Sequence, residues 1–257
     1  MKPNYNPCRH FYQKYKVEID AQFKTMFDLK INDSPKYDYF IQHNTIRVGM
    51  SDKLTVFSHI KNMLEIVKIS NIFEGREVVD VGVGFGGSYL PIKFGNPTKI
   101  IGVDPFEENI ELARNLGYDE CHMMGWEDYV FPNASVVFLR GNWLPDYEPF
   151  FKRLQEHNVC DVIIIQHLLP LDLINTYHYM YNDVTPETIC RWSYNQVIDV
   201  AKMPSIGELI RLALTYQYGL VSKKSVYREG KNIYKKDEVE RSQNQVKYIL
   251  HFSKVEG

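Results

Sequence analysis

Apolar residues in this chain gather into short unbroken runs, and the stretches between the runs repeat near helical spacing. REVVDV (76–81) is the first run, followed by TKIIGV (98–103), ASVVFL (134–139) and CDVIII (160–165). β-Branched runs without alternation suit parallel strands buried on both faces. Phe106 to Leu116 and Pro149 to His157 read as helices between them. Ahead of the first run, Val56, Ile60, Met63, Leu64 and Val67 recur near helical spacing, predicting an amphipathic helix from Thr55 to Ile69. Alternating strands and helices predict an α/β domain with a mostly parallel sheet and helices on both faces. YGLVSKKSVY (218–227) and VKYILHFSKV (246–255) are expected as an antiparallel pair closing that sheet. Between Leu168 and Gln217 the pattern gives helices, clearest from Gly207 to Tyr216, and does not locate a further central strand expected there. Residues 1–50, broken by Pro3, Pro7 and Pro35, read as an N-terminal extension with short helices, and 51–257 as the domain itself.

Composition narrows the function classes. A chain of 257 residues suits one α/β domain with additions. The net charge of -2 gives no global attraction to nucleic acid, so such a partner would have to be met by a local patch. Cys8, Cys121, Cys160 and Cys190 lack CxxC spacing, which favours a reducing compartment and argues against a structural metal. The start MKPNYNPCRHFYQKYK has no apolar stretch, and no run approaches the roughly 18 apolar residues of a membrane span. A soluble, cytoplasmic protein without membrane association is expected. Eighteen tyrosines allow base stacking, but a compositional bias of the genome is the simpler account of them.

The chemistry concentrates in EVVDVGVGFGGS (77–88), where a buried strand runs directly into Gly82, Gly84, Gly86 and Gly87. Glycines allow unusual torsions and let backbone approach a ligand without a Cβ in the way. A helix starting near Ser88 would offer free N–H groups to an anion. Asp104, at the tip of the second strand in IIGVDP, is placed where an acid reaches a nucleotide ribose. The dinucleotide pattern G-x-G-x-x-G can be written through Gly82, Gly84 and Gly87, so a dehydrogenase competes at this point. Asp80, two residues before the first glycine, and the tight D-x-G-x-G-x-G series favour another cofactor.

With those residues the segment resembles motif I of class I S-adenosylmethionine-dependent methyltransferases, and IIGVDP resembles motif II. The resemblance covers roughly residues 76–166. It implies a Rossmann-like sheet and S-adenosylmethionine as cofactor. Asp80, Gly82, Gly84 and Gly86 would hold the methionine end, with Asp104 and the adjoining Pro105 at the ribose. Near the adenine, Asn142 in Arg140-Gly141-Asn142-Trp143 competes with Glu127 or Asp128.

The acceptor is read from the fourth strand, which ends in Gln166-His167, where class I enzymes place acceptor-facing residues. It lacks the Asn/Asp-Pro-Pro-aromatic motif of amino-methylating enzymes, the Pro-Cys of cytosine-C5 enzymes and the Lys-Asp-Lys-Glu tetrad of ribose 2′-O enzymes. It more nearly resembles messenger-RNA cap guanine-N7 methyltransferases, whose strand often ends in Gln and an aromatic. FSHIKNMLEIVKI (57–69), with Phe57 and Lys61, resembles their helix upstream of motif I, without its Asn pair and Trp. Guanine N7 has a lone pair and needs no base, so holding it in line with the methyl group would suffice. Tyr177 and Tyr179 could stack on a base or pack in a core. Lys223 and Lys224 open a basic stretch (222–236), expected on a loop, that would meet a polyanion or remain solvated. His167 could act as a base toward a hydroxyl or amine, or hydrogen-bond its neighbours. Three functions follow. The first is an RNA methyltransferase. The second is a small-molecule methyltransferase lidded by 168–217 and the N-terminal segment. The third is a non-catalytic cofactor-fold subunit supporting a partner.

Overall fold

The structure, a computed structural model, describes residues 7–28, 60, 62–84, 86–140, 147–168, 206–226 and 246–255. The chain divides into two compact units, Met1–Gly125 and Trp126–Gly257.

In the first unit three parallel strands, β1 (Glu77–Val81), β2 (Lys99–Asp104) and β3 (Glu120–Met123), lie in the order β3-β2-β1. Val78 to Val81 and Ile100 to Asp104 are buried, as expected for strands covered on both faces. β3 differs, with Glu120 and Met123 exposed and Cys121 and His122 half-buried. An edge strand of mixed polarity leaves no periodic signal, and the apolar pattern does not foresee it.

Helices α1 (Pro7–Lys14) and α2 (Lys16–Asp28) precede the strands, α3 (Tyr89–Lys93) follows β1, and α4 (Glu107–Leu116) follows β2. Residue 60 and residues 62–67 are helical within the predicted amphipathic stretch. Ile60 and Met63 share a buried cluster with Cys8, Phe11, Ile19, Phe23 and Met26 from α1 and α2 and with Leu90 from α3. The N-terminal helices are thus packed into the core of this unit. α4 carries Glu107 and Glu108 in its first turn and Arg114 in its last, each matched to the helix dipole. It stops at Gly117, whose φ of 97° supplies a left-handed cap.

The second unit holds β4 (Val136–Arg140), β5 (Asp161–Leu168), β6 (Tyr218–Val226) and β7 (Val246–Lys254) in the order β4-β5-β7-β6. β4 and β5 are parallel, and β7 runs antiparallel to both β5 and β6. The predicted antiparallel closing pair is therefore present. Helix α5 (Glu148–Glu156) buries Phe150, Phe151 and Leu154, and Phe151 meets Tyr218 and Phe252 with ring centroids 5.9 and 5.7 Å apart. Helix α6 (Ile206–Thr215) buries Ile206, Leu209 and Ala213. Among the described residues the strands number seven, mostly parallel, with β7 reversed. The strand expected between Leu168 and Gln217 would fall mainly on 169–205, outside the described residues. Among the described residues no helix is long and apolar enough to cross a membrane.

Candidate functional site

Ligands of parallel α/β sheets sit at the carboxyl ends of the strands, and in the first unit that edge carries the glycine series. β1 and β2 pair in register from Glu77↔Lys99 to Val81↔Val103. Gly82 extends the ladder, its N–H donating to Val103 O at 2.7 Å. The chain then needs left-handed torsions in quick succession: φ is 70° at Gly82, 52° at Gly84 and 66° at Gly86. An L side chain resists such torsions by about 1–2 kcal/mol per residue. At Gly84 a Cβ would meet only Gly82 O, at 3.8 Å, so torsion rather than crowding requires glycine there. At Gly86 the torsion again decides, and a Cβ would in addition displace the tip of Leu116, whose Cδ1 lies 2.1 Å from it.

Asp104 grips this loop. Its buried carboxylate accepts the Gly84 N–H at Oδ2 (3.0 Å) and, at Oδ1, the Phe106 N–H (2.9 Å) and the Asn109 amide (3.0 Å). One charged acceptor therefore fixes both the middle of the loop and the start of α4, through hydrogen bonds stronger than neutral ones. Pro105 follows and is exposed.

Asp80 lies one strand over, fully buried, and accepts the Tyr118 hydroxyl at 2.6 Å. Burial, then the neighbouring Asp80 charge, pushes the Tyr118 phenol well above its ordinary pKa, so it stays a donor. Tyr118 leans on Tyr89, ring centroids 5.1 Å apart. Gly102, opposite Asp80 in the ladder, makes room for this ring: a Cβ there would lie 2.9 Å from Val83 Cγ2 and 3.1 Å from Tyr118 Cδ1.

A third hold comes from α2. Gln22 is buried, and its Nε2 donates to Gly86 O (3.0 Å) while its Oε1 accepts the Leu90 N–H (3.2 Å). One of the N–H groups expected to be free where α3 begins is therefore taken. The Leu90 N–H is committed to Gln22, because the N-terminal helices pack against α3 and bring an amide to it.

The remaining expected site residues distribute differently. Gln166 and His167 lie near the end of β5, opposite Tyr248 and Lys247 of β7. Lys223 and Lys224 are in β6, opposite Leu250 and Ile249, and not on a loop as expected. Consecutive strand residues point to opposite faces, which separates the two lysines; Lys223 is exposed and Lys224 half-buried. Strand pairing with β7 carries β6 to Val226. Lys61, Asn142, Tyr177 and Tyr179 lie outside the described residues. Glu127 and Asp128, the competing adenine-side acids, are exposed in the turn after β3. No group of three metal-ligating side chains occurs among the described residues.

Sequence reasoning did not foresee Gln22, Asn109 or Tyr118. Asn109 had a local signal, five residues after Asp104. Gln22 and Tyr118 act across 64 and 38 residues, with no signal in the pattern.

The second unit contains another buried polar cluster. His251 Nε2 lies 2.7 Å from Asp161 Oδ1, which also accepts the Ser253 hydroxyl. Ser253 Oγ and His251 Nε2 are 3.2 Å apart. Serine and histidine both converge on one carboxylate oxygen, so the imidazole does not stand between them as in a nucleophilic relay. The cluster sits at the amino end of β5, opposite to the ligand-binding edge expected for such a strand.

No family model matches the chain, and no curated protein matches it in sequence. Solved structures do. A chain of the complex between the Haloferax volcanii Trm112 methyltransferase activator and a methyltransferase candidate is 15% identical with a TM-score of 0.57, covering 85% of this chain and 97% of its own. Geranyl diphosphate methyltransferase in complex with S-adenosylmethionine is 13% identical with a TM-score of 0.55, covering 76% and 84%. Geranyl diphosphate C-methyltransferase from Streptomyces coelicolor A3(2), in complex with Mg2+, geranyl diphosphate and S-adenosylhomocysteine, is 13% identical with a TM-score of 0.54, covering 74% and 76%. Seven strands in this arrangement, together with these likenesses, give the chain the Rossmann-like fold of the class I S-adenosylmethionine-dependent methyltransferases.

Proposed function

We propose that the protein binds S-adenosylmethionine and transfers its methyl group. The observation that carries this reading is the bond from the Gly84 N–H to Asp104 Oδ2, which brings a ribose-competent acid against a loop of left-handed glycines. The fit is chemical as well as topological. The glycines expose backbone where a side chain would intrude, and Asp104, an acceptor-only carboxylate at the tip of β2, has the chemistry that meets ribose hydroxyls. Asp80, with Gly82, Gly84 and Gly86, would hold the methionine end, Pro105 would border the ribose, and Asn142 would serve the adenine. The cofactor supplies an electrophilic methyl on a sulfonium, so the protein's task is to hold donor and acceptor in line.

For the acceptor we favour RNA, with guanine N7 of a cap as the specific form. Support comes from Gln166 and His167 at the end of β5 and from the lysines beginning at Lys223, with Lys61, Tyr177 and Tyr179 as further contacts. The separation of Lys223 and Lys224 onto opposite faces limits the second argument to one of them at a time. A small-molecule acceptor is the second reading, favoured by the geranyl diphosphate methyltransferases among the structural neighbours.

Labelled-methyl transfer from S-adenosylmethionine to capped RNA, uncapped RNA and a metabolite extract tests both. Transfer to capped RNA that disappears in Asp104→Ala supports the leading reading. Transfer confined to metabolites replaces it with the second. Cofactor binding without transfer to any pool would favour a non-catalytic subunit, and calorimetry showing no binding of S-adenosylmethionine would end every methyltransferase reading.

A further inference from the structure

A loop of three left-handed glycines has no intrinsic preference for one shape, because glycine loses more conformational freedom on ordering than any other residue. Its shape must be imposed from outside, and the structure shows three tethers. Val103 O holds Gly82 and Asp104 holds Gly84, both from β2, the strand paired with β1. The last glycine is different. Besides the Tyr89 N–H, Gly86 O accepts the Gln22 amide from α2, and the same side chain takes the Leu90 N–H one turn further on. Gln22 is 4% exposed, and both ends of its amide are used. Its Nε2 also approaches Met26 Sδ at 3.6 Å.

We propose that Gln22 is a positioning residue for the cofactor loop, so that the N-terminal helix α2 is part of the cofactor site. The inference rests on the reading of the glycine series as the methionine-end cradle of S-adenosylmethionine. It adds that affinity for the amino-acid end of the cofactor is set from a helix 64 residues away in sequence. Linkage follows: whatever undocks α2 loosens the cofactor, and bound cofactor holds α2 in place. The adenosine end is served by Asp104 and does not depend on Gln22.

The test is calorimetry on the full chain with two probes, S-adenosylhomocysteine and 5′-methylthioadenosine, which share the adenosine and differ in the amino-acid end. Gln22→Met keeps length and apolar packing and removes both hydrogen bonds. It should weaken S-adenosylhomocysteine about tenfold, the scale of one or two lost hydrogen bonds, and leave 5′-methylthioadenosine unchanged. Equal loss of both probes would mark Gln22 as purely structural and overturn the proposal, as would no loss of either. Should Gln22→Met not fold, hydrogen exchange on the wild-type chain decides. S-adenosylhomocysteine should slow exchange at Leu90 and through α2, and unaltered exchange in α2 overturns the proposal. The underlying reading is judged separately, by the wild type. If it binds neither probe, the cofactor assignment itself fails, and the role of Gln22 with it.

Discussion

Two buried aspartates, one in each unit, look alike by burial and differ in everything that bears on function. Asp104 ends β2 at the carboxyl edge and spends its carboxylate on two backbone N–H groups and one side-chain amide, shaping a loop. Asp161 begins β5 at the amino edge and spends its Oδ1 on His251 and Ser253, across the β5–β7 ladder. The first fixes the glycine loop and the start of α4, whereas the second staples two strands. Burial of a carboxylate therefore does not locate a site; the strand end and the kind of donor do.

Substitution should separate the two. Asp104→Ala should lower stability by about 3 kcal/mol, since it strands two N–H groups beside the loop. The same change should weaken S-adenosylhomocysteine by roughly a hundredfold in calorimetry through loss of charged hydrogen bonds. Asp161→Ala should cost about 2 kcal/mol in denaturant unfolding through the lost staple, with cofactor affinity unaltered. A parallel fall in affinity would erase the distinction.

Tyr118→Phe sharpens the same comparison on the Asp80 side, with an expected loss of about 2 kcal/mol for one hydrogen bond to a buried carboxylate. It also carries a pH signature. The Tyr118 phenol is raised above 10.0 in the folded chain, so the unfolded chain releases this proton first as pH rises. The stabilisation is complete below about pH 10 and is lost as pH climbs toward the folded value. Thermal melts from pH 9 to 11 should fall less steeply in Tyr118→Phe than in the wild type.

The smallest effect is expected for the exposed pair Lys99–Glu120 on the edge of the first unit. The Lys99 ammonium holds the Glu120 carboxyl below its usual range. Its contribution is therefore present above the ordinary carboxylate pKa and fades as pH falls through the depressed value. Solvent screens such pairs, so Lys99→Ala should leave the melting temperature at neutral pH nearly unmoved. A loss comparable to that of Asp161→Ala would show that burial is the wrong axis for ranking these carboxylates.

Much of the framework was legible because its signals are local. Val78 to Val81 and Ile100 to Val103 announce buried strands by composition alone, and Gly82, Gly84 and Gly86 announce a loop that only glycine can follow. Asp80 and Asp104 stand out by their spacing from those glycines. β3 was not legible, because Glu120 to Met123 lie at an edge where neither face is fully buried. The basic stretch was legible as charge but not as geometry, since pairing with β7 decides that Lys223 and Lys224 face apart.

By itself, then, the sequence determined the strand–loop–strand element, its glycines and its two acids, each encoded within a few consecutive residues. Only the tertiary structure decided how that element is held. Tyr118 reaches Asp80 across 38 residues, and Gln22 reaches Gly86 and Leu90 across 64 and 68. Such partners are chosen by the packing of α2, α3 and α4, and hydrogen bonds between distant residues have no periodicity for a sequence to display.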